Sequence, residues 1–278
     1  MSSGATLAEA LTEGRGVERP FRCHVHEDSN ASASVNVLKG VWVCYACGAH
    51  GILDEGALVP EAEELIKIIK GELPVRFYAE EWLDLFDAHH PSPYWVERFG
   101  EEVARANRCG TDPETGQPTY PVRSWDGRVM GVVRRSDNEK PKYKYPWNVP
   151  TSKTLYGKWD PFAPNDVAIL VEGAPDVMAL QQAGLPDGWS VFGCFGAGIH
   201  YPQAMLLAEI NPAIIITAFD DDKAGILAAQ RARWSITTAP VVSHHWSRNG
   251  GNDPGEVPVE ARIQGLQETL QRAKKETR

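Results

Sequence analysis

Four side chains near the N-terminus have the types and the spacing of a metal site. Cys23 and His26 are separated by two residues, and after seventeen further residues Cys44 and Cys47 form a second pair with the same spacing. Two short-spaced pairs of sulfur and nitrogen ligands typically hold one tetrahedral zinc ion between two turns. The sequence therefore predicts a zinc site, and because about fifty residues form only a marginal core, we expect zinc to hold this module together.

The residues between the two pairs predict a β-hairpin. Residues 32–37 alternate in polarity, residues 39–40 favour a turn, and residues 41–43 return as a second strand. The module is therefore expected to be a zinc ribbon. His24 and His50 are alternative ligands, but neither completes the two-residue spacing.

The ribbon also carries residues that suit nucleic acid. Arg22, Lys39, Trp42 and Tyr45 combine cations that neutralise phosphates with rings that stack on bases. One hypothesis is that this face recognises nucleic acid, and the alternative is a purely structural ribbon.

The C-terminal part of the chain predicts a parallel sheet. Continuous apolar runs at residues 167–171, 213–218 and 240–242 are each followed by a helical stretch. Such runs are typical of strands that are buried on both faces by helices.

Acidic residues follow these predicted strands. Glu172 follows the first run, Asp220, Asp221 and Asp222 follow the second, and Asp253 lies in the loop beyond the third. Strand ends of this kind line the ligand crevice of open α/β sheets, where converging carboxylates repel one another unless a divalent cation neutralises them. We therefore predict that Glu172, Asp220 and Asp222, with Asp253 nearby, bind Mg²⁺ or Mn²⁺, while Asp221 points aside. The alternative is that residues 220–222 only cap the next helix.

A basic segment precedes this sheet. Residues 123–158 carry nine Lys or Arg against three acids, a balance of +6, whereas residues 53–90 carry three against ten, a balance of −7. Cationic and aromatic side chains that suit phosphates and bases are interleaved here: Arg134, Arg135, Lys140, Lys142, Lys144, Lys153 and Lys158 with Tyr143, Tyr145, Trp147 and Tyr156. The alternative is a solvated loop with an excess of lysine.

Three segments resemble the motifs of the TOPRIM fold, which primases, topoisomerases and some nucleases share. They are Val171-Glu172-Gly173 with Asp176, Phe219 to Gly225 with its three aspartates, and Asp253-Pro254. The resemblance implies that Glu172, Asp220 and Asp222 are catalytic.

The zinc ribbon narrows the family. The cysteine and histidine pairs followed by Gly48 resemble the N-terminal zinc domain of bacterial DnaG-type primases, and Pro141-Lys142-Tyr143 with Leu155-Tyr156-Gly157 resembles their basic segment. The segment from Tyr94 to Gly100 resembles the entry into their polymerase core. The resemblance implies binding of nucleotide or template by a further set of residues: Arg98, Arg135, Lys142, Lys153 and Asp176.

The resemblance also implies an activity and its partners. DnaG-type primases synthesise short RNA primers from ribonucleoside triphosphates on single-stranded DNA, with the zinc ribbon helping to select the start site. The 278 residues leave no room for a helicase-binding domain after the TOPRIM segment, and no G-x4-GK[ST] loop for a fused helicase motor is present. This short length is typical of a phage or mobile-element primase, for which a separate replicative helicase is a candidate partner.

Two features depart from the pattern of the family. Asn252 stands where a lysine often precedes the last aspartate, and the segment before Lys153 is shortened, which leaves the assignment of Lys153 open.

Two other functions remain open at this level. A RecR-like recombination mediator combines zinc with TOPRIM and binds DNA without catalysis. The domain order argues against this function, because no helix-hairpin-helix precedes the cysteines. A TOPRIM nuclease is the second alternative. A topoisomerase is not expected, because it would need a tyrosine nucleophile in a large additional domain for which 278 residues leave no room.

Composition places these motifs in a globular chain, and a length of 278 residues fits one large domain or two smaller ones. Hydrophobic residues make up 42% and charged residues 23% of the chain, and no apolar run reaches the length of a membrane span. Five cysteines are too few for a secreted disulfide scaffold, and together with the lack of a membrane span this predicts a cytoplasmic location. The resemblance to bacterial and phage primases implies a bacterial host cell. Cys109 and Cys194 have no nearby partner pattern and are expected to be core residues. We predict a mixed α/β multidomain chain: zinc ribbon 1–55, acidic connector 56–90, a small mixed α/β basic subdomain at 91–160, and TOPRIM domain with C-terminal helix 161–278.

Overall fold

The computed structural model describes residues 5–12, 18–37, 40–53, 75–138, 141–146, 149–157 and 166–276. The chain divides into two compact units, Met1–Val75 and Arg76–Arg278. Among the described residues, no helix is both long and apolar enough to cross a membrane.

The first unit is a small antiparallel sheet. Its elements are α1 Leu7–Thr12, β1 Glu18–Phe21, β2 Ala33–Asn36, β3 Val41–Cys44 and β4 His50–Ile52, with the strands in the order β1-β2-β3-β4. The predicted hairpin is confirmed, because Asn36 on β2 lies opposite Val41 on β3. Gly40 adopts a φ of +63° between the two strands, a conformation that glycine enters without steric cost.

Trp42 lies in the core of this unit rather than on its surface. Its side chain is 9% exposed and packs edge-on against Phe21, with ring centroids 5.9 Å apart. Gly51 on the neighbouring strand provides the space that the Trp42 ring occupies, because a Cβ at this position would lie 2.6 Å from Trp42 Nε1. The hypothesis that Trp42 contacts nucleic acid is therefore wrong, while Tyr45 is 77% exposed. Lys39 falls outside the described residues.

The second unit begins with an antiparallel sheet and its supporting helices. Its elements are a 3-10 helix Glu80–Phe86, α2 Pro93–Phe99, α3 Glu101–Ala106, β5 Gly110–Thr111, β6 Pro118–Arg123, β7 Val129–Arg135, β8 Tyr143–Lys144 and a 3-10 turn Thr151–Lys153. The strands pair in the order β5-β6-β7-β8. The turn at Asp126-Gly127 joins β6 to β7 as the sequence predicts, with Gly127 at a φ of +88°.

Part of the segment expected to be a connector is packed structure. Tyr78 forms a β-bridge with Val129, and Leu83 and Ala88 are buried against Val129 and Val132. These contacts place residues 76–90 with the second unit, so the packed part begins before the expected boundary at residue 91. The helical stretch predicted at residues 61–69 lies outside the described residues.

A parallel sheet with helices follows. Its elements are β9 Val167–Val171, α4 Ala174–Gln182, β10 Trp189–Gly193, α5 Tyr201–Ile210, β11 Ile214–Thr217, α6 Lys223–Ser235, β12 Val241–Ser243, a 3-10 turn Trp246–Asn249 and α7 Val259–Glu276. The strand order is β10-β9-β11-β12, and every neighbouring pair is parallel. The three predicted strands are confirmed, and β10 is an additional strand at the edge beside β9.

Hydrogen bonds hold residues 154–156, at the end of the basic segment, beside the parallel sheet. Tyr156 pairs with Gly193 at the edge of the parallel sheet, and its hydroxyl donates to Asn107 Oδ1 at 3.0 Å. The buried Gln203 amide donates to the carbonyls of Thr154 and Cys194, each at 2.9 Å. The basic segment is thereby held beside the parallel sheet. Tyr156 is 7% exposed, so the expectation that it stacks on a base is wrong.

Cys109 and Cys194 are buried, which confirms them as core residues. The Cys109 thiol lies 3.5 Å from Met178 Sδ, and burial raises the pKa of both thiols above their ordinary value.

Candidate functional site

The zinc-ligand residues come together as the sequence predicts. The ligand atoms of Cys23, His26, Cys44 and Cys47 all lie within 4.8 Å of one another, and Cys23 Sγ and Cys47 Sγ are 3.8 Å apart. A tetrahedral zinc ion with bonds of about 2.3 Å would separate its sulfur ligands by about 3.8 Å. His26 Nδ1 is buried and has no hydrogen-bond partner among the described residues, as suits a ligand nitrogen. The residues therefore fit a zinc ion bound by three cysteines and one histidine.

Asp28 organises the loop that carries these ligands, a role that sequence reasoning missed. Its Oδ2 accepts hydrogen bonds from the Ser32 hydroxyl at 2.6 Å and from the Cys23 backbone N–H at 2.8 Å. These bonds lower the pKa of Asp28 to about 2. Ser32 Oγ in turn lies 3.4 Å from Cys44 Sγ. The D-x-N-x-S pattern at residues 28–32 could have indicated this role, because Asp side chains accept hydrogen bonds from the backbone of such turns.

Glu172 and Asp220 meet at the carboxyl ends of neighbouring strands. Glu172 directly follows β9, Asp220 follows β11, and the backbone N–H of Asp220 donates to the Glu172 carboxylate. Burial and the negative charge of Glu172 raise the pKa of Asp220 to about 8. Burial likewise raises the pKa of Glu172, to which the charges of Asp222 and Asp253 also contribute. The acids expected to share a cation therefore lie within electrostatic reach of one another.

Asp176 lies with these carboxylates, and we call Glu172, Asp176, Asp220, Asp222 and Asp253 together the acidic group. It lies in the first turn of α4, and its Oδ2 accepts a hydrogen bond from the Gly173 N–H at 2.9 Å. Burial, followed by the negative charges of Asp253 and Glu172, raises the pKa of Asp176 to about 7. The resemblance implied a nucleotide or template contact here, whereas the structure places Asp176 among the carboxylates.

The three successive aspartates have different surroundings. Asp222 caps α6, with its Oδ1 accepting from the Gly225 N–H at 2.8 Å. Gly225 is required here, since a Cβ would lie 2.1 Å from the Asp220 carbonyl oxygen. Asp221 turns to other partners, His245 Nδ1 at 2.9 Å and the Ser247 N–H at 2.7 Å. The capping alternative therefore describes one oxygen of Asp222, and a metal-binding role for Asp220 and Asp222 stays a prediction.

The acidic group differs from the zinc ligands in how tightly it is gathered. In the part of the chain that the structure describes, only the three cysteines and His26 bring three or more ligand atoms within 4.8 Å of one another. The carboxylates nevertheless fit a hard divalent cation chemically, because they are oxygen donors whose pKa values are raised by burial and by one another's negative charge.

Arg98 lies at the edge of this acidic group. A Cβ on Gly255 would lie 3.0 Å from Asp253 Oδ1 and 3.2 Å from Arg98 Nη2, so the guanidinium and the carboxylate border the same space. Arg98 Nη1 also donates to the Tyr94 hydroxyl at 3.1 Å. The Arg98 side chain is exposed, so it is available to an anionic ligand.

Arg135 occupies a different environment from the one expected. It is 8% exposed, its guanidinium carbon lies 4.3 Å from the centre of the Tyr94 ring, and its Nη1 lies 2.7 Å from Asp137 Oδ2. A phosphate would have to compete with Asp137, which favours a positioning role through Tyr94, a residue that sequence reasoning did not single out as a contact. Lys142 and Lys153 are exposed.

Comparisons with known proteins agree with these features. A family model described as Toprim-like matches residues 169–257. The DNA primase of Synechococcus elongatus is 34% identical over 49% of this chain and 21% of its own length, and that of Deinococcus radiodurans is 22% identical over 89% of this chain and 54% of its own length. The chain thus spans between about a fifth and about half of these curated relatives.

A solved structure shares the fold. The crystal structure of the RNA polymerase domain of Mycobacterium tuberculosis primase DnaG matches with a TM-score of 0.51 and 17% identity, over 76% of this chain and 83% of that chain. The resemblance to DnaG-type primases found in the sequence is confirmed, and the mixed α/β architecture with a Toprim-like parallel sheet matches the fold of that domain.

Proposed function

We propose that this chain is a DNA primase that joins ribonucleotides into short RNA primers on a single-stranded DNA template by metal-dependent nucleotidyl transfer. The observation that carries the proposal is the acidic group at the ends of β9 and β11, bordered by the exposed guanidinium of Arg98. The two curated relatives described above are named DNA primase, which supports the same function.

The acidic group would hold the catalytic cation. Glu172, Asp220 and Asp222 would bind Mg²⁺ or Mn²⁺, with Asp253 beside them, and the raised pKa of Asp220 supports this assignment because the cation would supply the missing positive charge. When bound, such a cation lowers the pKa of an attacking hydroxyl and neutralises the leaving pyrophosphate.

The chain's own residues would position the reactants. In the reaction the 3′ hydroxyl oxygen of the primer forms a bond to the α-phosphorus of the incoming nucleotide. The bond from that phosphorus to the oxygen bridging to the β-phosphate breaks, pyrophosphate leaves, and the hydroxyl proton passes to water. Arg98 and Lys142 would neutralise triphosphate or template phosphates through charge-assisted hydrogen bonds. Arg135 would hold the Tyr94 ring, whose hydroxyl orients Arg98. Asp221 accepts a hydrogen bond from the Ser247 N–H and contacts His245 Nδ1, and these contacts would hold in place the loop that carries Asp220 and Asp222.

The zinc ribbon would act before elongation begins. Joining the first two nucleotides lacks the support of a long heteroduplex, so an additional surface must hold the template while the weak complex persists. Tyr45 is an exposed candidate contact on the ribbon. A separate replicative helicase remains a candidate partner.

A primer-synthesis assay tests this function. The full chain with zinc, single-stranded DNA, Mg²⁺ and labelled ribonucleoside triphosphates should yield short labelled RNA that requires both template and cation. Shortening of a labelled template without RNA product would instead identify a nuclease. Template binding with neither reaction would identify a mediator of the RecR type.

A further inference from the structure

Helix α6, Lys223–Ser235, has two contrasting faces. Its buried face consists of small residues, Gly225, Ala228, Ala229 and Ala232. The opposite face carries large apolar side chains that remain in solvent: Ile226 and Leu227 are each 41% exposed, and Trp234 is 86% exposed. Leu227 and Trp234 are seven residues apart, about two helical turns, so they lie along one line.

Cations flank these apolar residues. Lys223, Arg231 and Arg233 are exposed, and α6 contains no acidic residue. None of the three forms an ion pair with a residue in the described ranges. We define the outer face of α6 as Lys223, Ile226, Leu227, Arg231, Arg233 and Trp234. The face therefore combines an apolar strip with exposed cations that form no ion pair in the described part of the chain.

The proposed reaction does not use this face. Only the N-terminus of α6 reaches the acidic group, through the Asp222 cap. Trp234 lies in the last turn, about 18 Å along the helix from that cap at 1.5 Å per residue. Exposed tryptophan and arginine are enriched among the residues that dominate protein interfaces, and clustered apolar side chains in solvent mark interaction sites.

The composition of the face selects among possible occupants. Single-stranded nucleic acid would use the cations and Trp234, but it would leave Ile226 and Leu227 without a role. A second copy of this chain packed symmetrically through α6 would bring the same cations of both copies together. A protein segment with apolar anchors and acidic neighbours satisfies both the apolar strip and the charges.

We propose that the outer face of α6 is a docking surface for a protein partner that presents an acidic amphipathic helix. Its apolar side chains would cover Leu227 and Trp234, and its acidic residues would pair with Arg231 and Arg233. This proposal is independent of the proposed enzymatic activity.

Fluorescence anisotropy with a defined probe tests it. The probe is a labelled synthetic 18-residue peptide with leucines along one helical face and glutamates elsewhere, and its control has the same composition in scrambled order. The zinc-loaded full chain should bind the amphipathic peptide and not the scrambled one. Trp234→Ala, and Arg231→Glu combined with Arg233→Glu, should each weaken binding about tenfold or more. Tyr201→Ala, which removes a 76% exposed ring on α5, should change it less than about twofold.

Several results would overturn the proposal. These are failure of the wild-type chain to bind the peptide, equal binding of the scrambled peptide, or unchanged binding in variants whose circular dichroism melts match the wild type. Loss of affinity for a 20-nucleotide thymidine strand in Trp234→Ala, with peptide binding unchanged, would assign the face to nucleic acid. A concentration-dependent dimer that Trp234→Ala abolishes in sedimentation would assign it to a second copy.

Discussion

At Asp220, burial and neighbouring carboxylates act in the same direction. They raise its pKa from 3.8 to about 8. Between these two values the folded chain binds more protons at this site than the unfolded chain does. The contribution of Asp220 to the free energy of unfolding is therefore present at low pH and is lost as the pH rises toward 8.

Substitution of Asp220 by asparagine should remove this pH dependence. In metal-free buffer, the melting temperature of Asp220→Asn should exceed that of the wild type by an amount that grows from about pH 5 to about pH 8. Scanning calorimetry at both pH values measures the difference, and Mg²⁺ should reduce it by supplying the missing charge. Melting temperatures that run parallel across this range would contradict the assigned environment of Asp220.

Lys142 is an exposed cation of the basic segment, for which we propose a phosphate contact. Lys142→Ala should weaken nucleotide or template use by about 1–3 kcal/mol, as expected for one charge-assisted contact, and wild-type template affinity should fall with salt. Lys274→Ala on α7 is the matched control, because this exposed lysine lies outside the basic segment. Equal effects of the two substitutions on KM and template affinity would count against a specific contact.

At the scale of single elements, substitution can separate the helix cap that Asp222 forms from the metal-binding role proposed for it. Asparagine can still accept the hydrogen bond from Gly225 N–H as the N-cap of α6, whereas alanine cannot. Both Asp222→Asn and Asp222→Ala should abolish primer synthesis, but only Asp222→Ala should lose the cap, at a cost of about 0.5–2 kcal/mol of unfolding free energy. Urea denaturation of both variants measures that cost. Full activity in Asp222→Asn would reduce this residue to a helix cap.

The sequence predicts elements well where one physical pattern dominates. Strand β9 matches its predicted bounds because five consecutive apolar residues are buried on both sides. Strand β10, Trp189–Gly193, was not predicted, because Ser190 and Gly193 interrupt its apolar pattern and its pairing with β9 is set by the tertiary fold.

Side-chain orientation was harder to predict than strand position. Trp42 and Tyr156 have the chemistry of base-stacking residues, yet alternation along β3 and pairing with Gly193 direct them inward. Arg135 is buried against the ring of Tyr94, a residue of α2 that lies far from it in the sequence. The acidic residues were easier to place, because the carboxyl ends of parallel strands converge whatever the details of packing.

At the scale of the whole molecule, the zinc-ligand residues and the acidic group lie in separate compact units, each with its own core. The soft zinc ligands belong to the first unit, and the hard carboxylates belong to the second. This division predicts that start-site choice and catalysis separate.

A fragment of residues 76–278 should therefore extend a preformed primer slowly and lose initiation at preferred template sites. It keeps Arg98, the basic segment and every carboxylate of the acidic group, but it lacks the zinc ligands. Elemental analysis should find about one zinc per full chain and none in the fragment. Product mapping on one template compares initiation sites, and identical sites and rates for both proteins would make the ribbon a structural appendage.

The most direct test of the central claim is the rate of the first phosphodiester bond. Dinucleotide formation should be measured on single-stranded DNA with Mg²⁺ for the wild-type chain, Glu172→Gln and Asp222→Asn, after circular dichroism has verified their folding. We predict that the wild type forms the dinucleotide and that each variant is slower by about two orders of magnitude or more, because each loses a charged ligand of the cation. Variants that form the dinucleotide at rates close to the wild type would contradict the assignment of this acidic group as the catalytic centre.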